Sequence, residues 1–207
     1  MTHTLLTDDS TPGVGVVTLN RAERMNALDG ATLAALNDAV LIAAESGREI
    51  RVIVIPGSGC ALLRGQQPEV AREWRAHGSG AHMRHQDLTQ DMSALMAVSR
   101  QIVIASVNGY AVAGDFELVL ASDVVVVDEQ AALGDAHLQR NLPPSGGGSQ
   151  RLPRRIGVAR AMYSLIIRPM PCSAARIIPS SSFVTMLPCG STSNACPSTS
   201  DDVNSRR

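Results

Sequence analysis

The stretch that most constrains this chain runs from Asn108 to Gly157, entered from a strongly apolar run that gives way to a helix across a pair of turn residues. Ile102 to Val107 meets Asn108-Gly109, a turn signal, so the run reads as a buried strand ending in a loop. Beyond it, Phe116, Leu118, Val119 and Leu120 are too clustered for an alternating strand, and Asp115 suits a helix's first turn. The pattern predicts a helix from about Gly114 to Ala121. The Gly114 amide then lies at the positive end of the helix dipole, where unpaired backbone donors can hold a developing anion. Glu117, three residues on, shares its face. Amides that hold an enolate oxygen, with a carboxylate one turn away that moves a proton, form a device for proton transfer at carbon next to a carbonyl. The same spacing also suits an Asp115 that caps the helix and a Glu117 that faces water.

A chain of 207 residues with 44% apolar content has ample material for one large domain. Its net charge of -1 and 2% aromatic content give neither a basic footprint nor a stacking surface, which sets nucleic acid aside. No apolar run reaches the length of a bilayer, and MTHTLLTDDS has no basic, apolar leader pattern, so the expectation is a cytoplasmic protein with no membrane partner. Cys60, Cys172, Cys189 and Cys196 have no paired spacing and read as free thiols.

Along the chain, Val14 to Leu19 reads as a strand after Pro12-Gly13. Leu33, Leu36, Val40 and Ala44 recur at helical spacing, with Asp29 placed to cap the start. Arg51 to Pro56 is a second buried strand, and the succession of strand, helix and strand predicts an α/β fold. Glu69 to Gln86 is polar and holds His77, His82 and His85, but Gly78-Ser79-Gly80 reads as a mobile loop, so no metal site is expected. Leu88, Met92, Leu95 and Met96 restore a helical stripe, and Asp123 to Asp128 is a valine-rich strand.

The central stretch resembles the signature of the crotonase superfamily, the enoyl-CoA hydratases and isomerases. Asn108-Gly109-Tyr110-Ala111 is similar to the family's V-N-G-x-A, Gly114 falls in its glycine run, and Glu117-Leu118 and Ser122-Asp123 match its E-L and S-D. Gly146 to Pro153 resembles its G-G-G-T-Q-R-L-P segment, and the likeness extends from about Val14 to Met162. The resemblance implies a spiral of repeated strand, strand and helix units, a crotonase-like ββα core over residues 1–167. It implies an acyl-CoA thioester as substrate, with coenzyme A entering as part of that substrate and no separate cofactor. The loop Asn20 to Asn26 is similar to the L-N-R-P-x-x-x-N-A-L segment that helps hold the coenzyme A nucleotide, which carries Arg24 and, just after the loop, Ala27 over as coenzyme A contacts. Cys60 to Gln67 occupies the place of A-F-x-A-G-A-D-L, so the Arg64 amide would be the first oxyanion donor and Gly114 the second, although Gln67 stands where an aspartate is usual.

The resemblance also locates departures. His137 stands at the second catalytic glutamate of F-G-x-P-E, leaving Glu117 as the carboxylate and His137 as its acid or base partner in hydration. Isomerisation needs Glu117 alone, and a catalytically degenerate acyl-CoA binder is a further alternative. Asp115 replaces a family glycine; facing the pocket it would oppose the enolate by roughly 3 kcal/mol, and facing solvent it would favour the helix. Residues 168–207 bring five prolines, three of the four cysteines and serine-rich runs, and read as an irregular, out-of-frame or disordered tail in place of the family's C-terminal helices. The expected family trimer or hexamer would then be impaired.

Overall fold

The computed structural model describes residues 4–45, 50–59, 63–64, 79–129, 131–138, 142–166, 170–171 and 184–187, without side chains at 63–64, 79, 81–82, 165–166 and in the last two segments. The elements follow a repeating order. After the antiparallel pair β1 (Leu5–Asp8) and β2 (Val14–Leu19) comes α1 (Gly30–Glu45). Three turns of strand, strand and helix follow. They are β3 (Val52–Pro56), β4 (Leu63–Arg64) and α2 (Ser79–Val98); β5 (Ile102–Val107), β6 (Tyr110–Val112) and α3 (Gly114–Ala121); and β7 (Val124–Asp128), β8 (Ala132–Gly134) and α4 (Gly148–Ile156). α5 (Val158–Ile166), β9 (Met170–Pro171) and β10 (Val184–Leu187) complete the described elements.

Each turn gives its first strand to one sheet and its second to another. The larger sheet runs β1-β2-β3-β5-β7-β10 and the smaller β4-β6-β8-β9, with every pair from β2 to β10 in the first parallel. This is the ββα spiral that the family resemblance implies. Register explains why the larger sheet buries one face so completely: Ile53 pairs with Val103, Ala105 with Val125 and Val107 with Val127, so buried side chains form rows across the strands. Leu33, Leu36 and Val40 of α1, with Met92 and Met96 of α2, pack into the same core. On α1 the stripe continues through Ala43 rather than Ala44, the buried member of the pair.

Two asparagines tie successive turns together where the parallel strands end. The Asn108 side-chain amide donates to the carbonyls of Gly57 and Gly59, at 3.1 and 2.7 Å, and the Asn26 amide donates to Ser58 at 2.8 Å. These bonds hold the loop that leads from β3 toward β4. Asn26 tolerates its φ of 54° because a short polar side chain is at home in the left-handed region.

Two sequence expectations need adjustment. The Asn108-Gly109 turn leads into a short strand, β6, so the strand before it changes sheets rather than simply ending. Gly78-Ser79-Gly80 was expected to be a loop, but α2 begins at Ser79; small and polar residues are well tolerated in a first turn, where amides lack intrahelical partners. His85 is buried on that helix, while His77 and residues 65–76 lie outside the described residues. Within 168–207 the structure describes β9 and β10, the latter pairing parallel with β7; the remainder of that segment lies outside the described residues. Among the described residues no helix is long and apolar enough to cross a membrane.

Asp29 caps α1 as its position suggests, accepting from the Thr32 amide and hydroxyl at 2.9 and 2.8 Å and pairing with Arg21. Burial pushes its carboxyl up, but the two Thr32 bonds and Arg21 outweigh burial and hold it below the usual value. A depressed folded-state value stabilises the fold above the unfolded value of about 3.9 and is lost as pH falls through the folded one. Asp29→Ala should therefore cost about 1 kcal/mol near pH 7 in denaturant titrations, with the gap to the parent chain closing below about pH 4.

Candidate active site

Buried charge gathers where α3 meets the segment before α4, in Glu117, Asp135 and His137. α3 is buried along its whole length from Asp115 to Ala121, which is why its apolar residues are clustered rather than spaced. Glu117 is fully buried within it and does not face water. Asp115 is buried as well, 2% exposed, so the orientation in which it would simply favour the helix from solvent does not occur.

The start of α3 is shaped for an incoming group. Ala113 has φ 57° and ψ -123°, a conformation that L residues adopt only under constraint, and its amide is held by the Gly134 carbonyl at 3.1 Å. The helix's first internal bond runs from the Glu117 amide to the Ala113 carbonyl, so by helix geometry the preceding amides, Gly114 first among them, point out of its end. A methyl group built on Gly114 would meet nothing within 4 Å among the described residues, so the space beside its Cα is open. β4 pairs with β6 so that Arg64 stands opposite Val112, two residues before Gly114. The smaller sheet thus brings the backbone of Arg64 to the entrance of α3.

Glu117 is gripped from the α4 side. Its Oε1 accepts from the Gly148 amide at 2.8 Å, and Oε2 lies 3.7 Å from Nε2 of His137. Burial raises the Glu117 carboxyl above its usual value; His137 and the amides of Gly148 and Gly146 oppose that rise without cancelling it. His137 is itself 3% exposed, and its Nδ1 lies 2.8 Å from Oδ1 of Asp135. The glycine run Gly146-Gly147-Gly148 has a steric cause at this point. A Cβ on Gly148 would sit 2.9 Å from Oε1 of Glu117, and Gly147 turns at φ 94°. Arg151 and Ser93 both bond the Gly146 carbonyl, fixing that turn between α2 and α4.

Of the residues singled out in the sequence, the structure thus brings together Glu117 and His137, and sets the Gly114 and Arg64 backbones on neighbouring segments. Arg24 and Ala27 lie apart from this cluster, in the turn between β2 and α1, where Arg24 is exposed and Ala27 buried. That turn packs on the 57–59 loop through Asn26, at the ends of the parallel strands where α/β sheets commonly receive ligands. Sequence reasoning missed Asp135 and the Gly148 amide. Asp135 had a local signal, the Asp-x-His spacing that lets a side chain turn back on the amide two residues on. Gly148 had none, because its partner is 31 residues away. Among the described residues no cluster of His, Cys, Asp and Glu is arranged to hold a metal ion. A cavity of about 570 Å³ opens elsewhere, between the β1–β2 pair and α1, with Asp8, Asp9 and Asp38 as its acidic lining, away from Glu117 and His137.

Comparison with known proteins agrees on one family. The enoyl-CoA hydratase/isomerase family model matches residues 9–174. A probable mitochondrial enoyl-CoA hydratase of Dictyostelium discoideum is 34% identical over 152 residues, 72% of this chain and 52% of the relative. A probable enoyl-CoA hydratase of Rhodobacter capsulatus is 35% identical over 151 residues, 72% of this chain and 56% of the relative. The chain therefore spans little more than half the length of these two. The crystal structure of enoyl-CoA hydratase from Bacillus anthracis superposes with a TM-score of 0.79 at 28% identity, covering 89% of this chain and 70% of that one.

Burial of Glu117 has a measurable consequence. A carboxyl raised in the folded state binds its proton more tightly there than in the unfolded chain, so stability falls as pH rises from the unfolded value of about 4.3 through the raised one. Glu117→Gln cannot ionise and keeps an oxygen for the Gly148 amide. Its stability relative to the parent chain should improve between pH 4 and pH 8, measured by urea unfolding at both. Gly148→Ala should instead cost about 1–3 kcal/mol at either pH, since the added methyl presses on Glu117.

Proposed function

The chain belongs to the enoyl-CoA hydratase/isomerase family, and from that premise we propose that it binds an acyl-CoA thioester and adds water across the double bond of a 2-enoyl-CoA. The observation that carries this reading is the facing of two buried proton carriers, Glu117 Oε2 and His137 Nε2, 3.7 Å apart and one helical turn from the outward-pointing Gly114 amide. Hydration needs two such carriers. In this reading the thioester oxygen accepts from the Gly114 and Arg64 amides. One carrier takes a proton from water as the water oxygen bonds to C3, and the double-bond electrons pass to the thioester oxygen as an enolate. The enolate then takes a proton at C2 from the other carrier, so atoms and charge balance without a separate cofactor. Loss of one oxyanion donor typically costs about 3–4 kcal/mol in acyl chemistry, so the two amides would supply a large share of the barrier reduction. Arg24 and the backbone at Ala27 would meet the coenzyme A nucleotide. Free thiols without paired spacing suit a reducing compartment and, with it, the cytoplasm.

Double-bond isomerisation is the second reading, and one observation favours it: Oε2 of Glu117 has no hydrogen-bond partner among the described residues and is available to carry a proton between carbons by itself. Loss of the conjugated absorbance of crotonyl-CoA tests hydration directly. Glu117→Gln should lower kcat by roughly 10²- to 10⁴-fold in either reaction. His137→Ala separates the two, since it should depress hydration by a comparable factor and leave transfer of a double bond in 3-enoyl-CoA within about tenfold of the parent rate. Undiminished hydration in Glu117→Gln would refute the assignment of the carboxylate.

A further inference from the structure

Asp135 belongs to no element of the reading so far, yet it is as deeply buried as Glu117, with no exposed surface. Its Oδ1 accepts the His137 backbone amide at 3.1 Å and lies 2.8 Å from the imidazole Nδ1 of the same residue. Ala136, between them, stands at φ 55°, a left-handed turn that brings an aspartate back on a residue two positions on. Oδ2 has no hydrogen-bond partner among the described residues and lies 3.2 Å from where a Cβ of Gly148 would be. The carboxylate is thus walled in and aimed at one ring nitrogen.

We propose that Asp135 is a positioning residue that fixes His137 in its Nδ1–H tautomer, leaving Nε2 bare toward Glu117 so that His137 takes the proton from water and Glu117 gives one to C2. An ionised carboxylate accepts hydrogen bonds and donates none, so an imidazole nitrogen 2.8 Å from it carries the hydrogen, and in the neutral ring the other nitrogen is then the base. After one turnover His137 holds the water's proton and Glu117 has lost its own. Transfer across the 3.7 Å gap, closed by a small movement, restores both. The buried cluster has the same net charge whether the proton rests on Glu117 or on His137, so the reset moves charge between the two without adding any to a dry site, where an added charge is costly. Asp115 is the other buried acid on α3, and Thr89 and Ser93 are the neutral groups on α2 beside the Gly146 turn. This assignment of roles rests on the hydratase reading; the tautomer does not.

The test has two arms for that reason. Nitrogen NMR of ¹⁵N-histidine-labelled protein reads the His137 tautomer without any substrate: the expected result is a bare-nitrogen signal at Nε2 in the parent chain and a shift of population to Nε2–H in Asp135→Asn. Crotonyl-CoA kinetics on the same proteins should show kcat reduced about tenfold or more in Asp135→Asn, with KM within about twofold and a displaced pH profile. An Nε2–H signal in the parent chain overturns the proposal with no variant needed, as does an Asp135→Asn variant that keeps both the tautomer and the pH profile. A parent chain with the expected tautomer and no turnover refutes the hydratase reading and upholds the positioning role.

Discussion

The burial of one carboxylate governs much of this molecule. An ionisable side chain with no exposed surface requires compensation within a few ångströms, and Glu117 finds it in the Gly148 amide and the edge of His137. The compensation in turn dictates sequence at a distance. Residues beside the carboxylate have to be glycine for steric reasons, and the turn that carries them has to be clamped by Arg151 and Ser93. A site that holds a proton carrier above its normal proton affinity is one whose surroundings were built around that carrier.

The spiral explains how such distant residues come to one place. Each turn delivers a strand to either sheet and then a helix, and the change of sheet happens at the same end of every turn. The 57–59 loop, Asn108 and the start of α3 accordingly collect at the ends of the parallel strands. The two asparagine side chains act as rivets between neighbouring turns, replacing ladder bonds where the strands part. Ligand sites at strand ends follow from parallel topology in general.

The fold was legible in the sequence wherever periodicity was strong. The strands at Val14–Leu19 and Ile102–Val107 and the helix at Gly114–Ala121 were all readable, because alternation, apolar clustering and turn pairs are local signals. β6 was not, since three residues after a turn carry too little pattern. Within the site, Glu117 and His137 could be named by motif position, but their meeting could not, since nothing local tells that position 137 returns to position 117. Asp135 was passed over as filler between glycine and alanine, although the left-handed Ala136 makes it the nearest neighbour of the imidazole. Asp115 shows the opposite failure: its sequence position suited a solvated first turn, and the full burial of α3 overrode that preference.

Parallel pairing also bears on how the molecule comes to life. Only β1 and β2 in the larger sheet can join through a short connection; β3 is reached from β2 through α1, and each later neighbour after a long excursion through the second sheet and a helix. Such distant pairings close slowly, because chain entropy is lost before contacts compensate it. Glu117 and the Gly148 amide that holds it belong to successive turns of the spiral, so a refolding chain acquires much of its secondary structure before these two meet. The Glu117–Gly148 contact thus reports closure of the spiral rather than local backbone order.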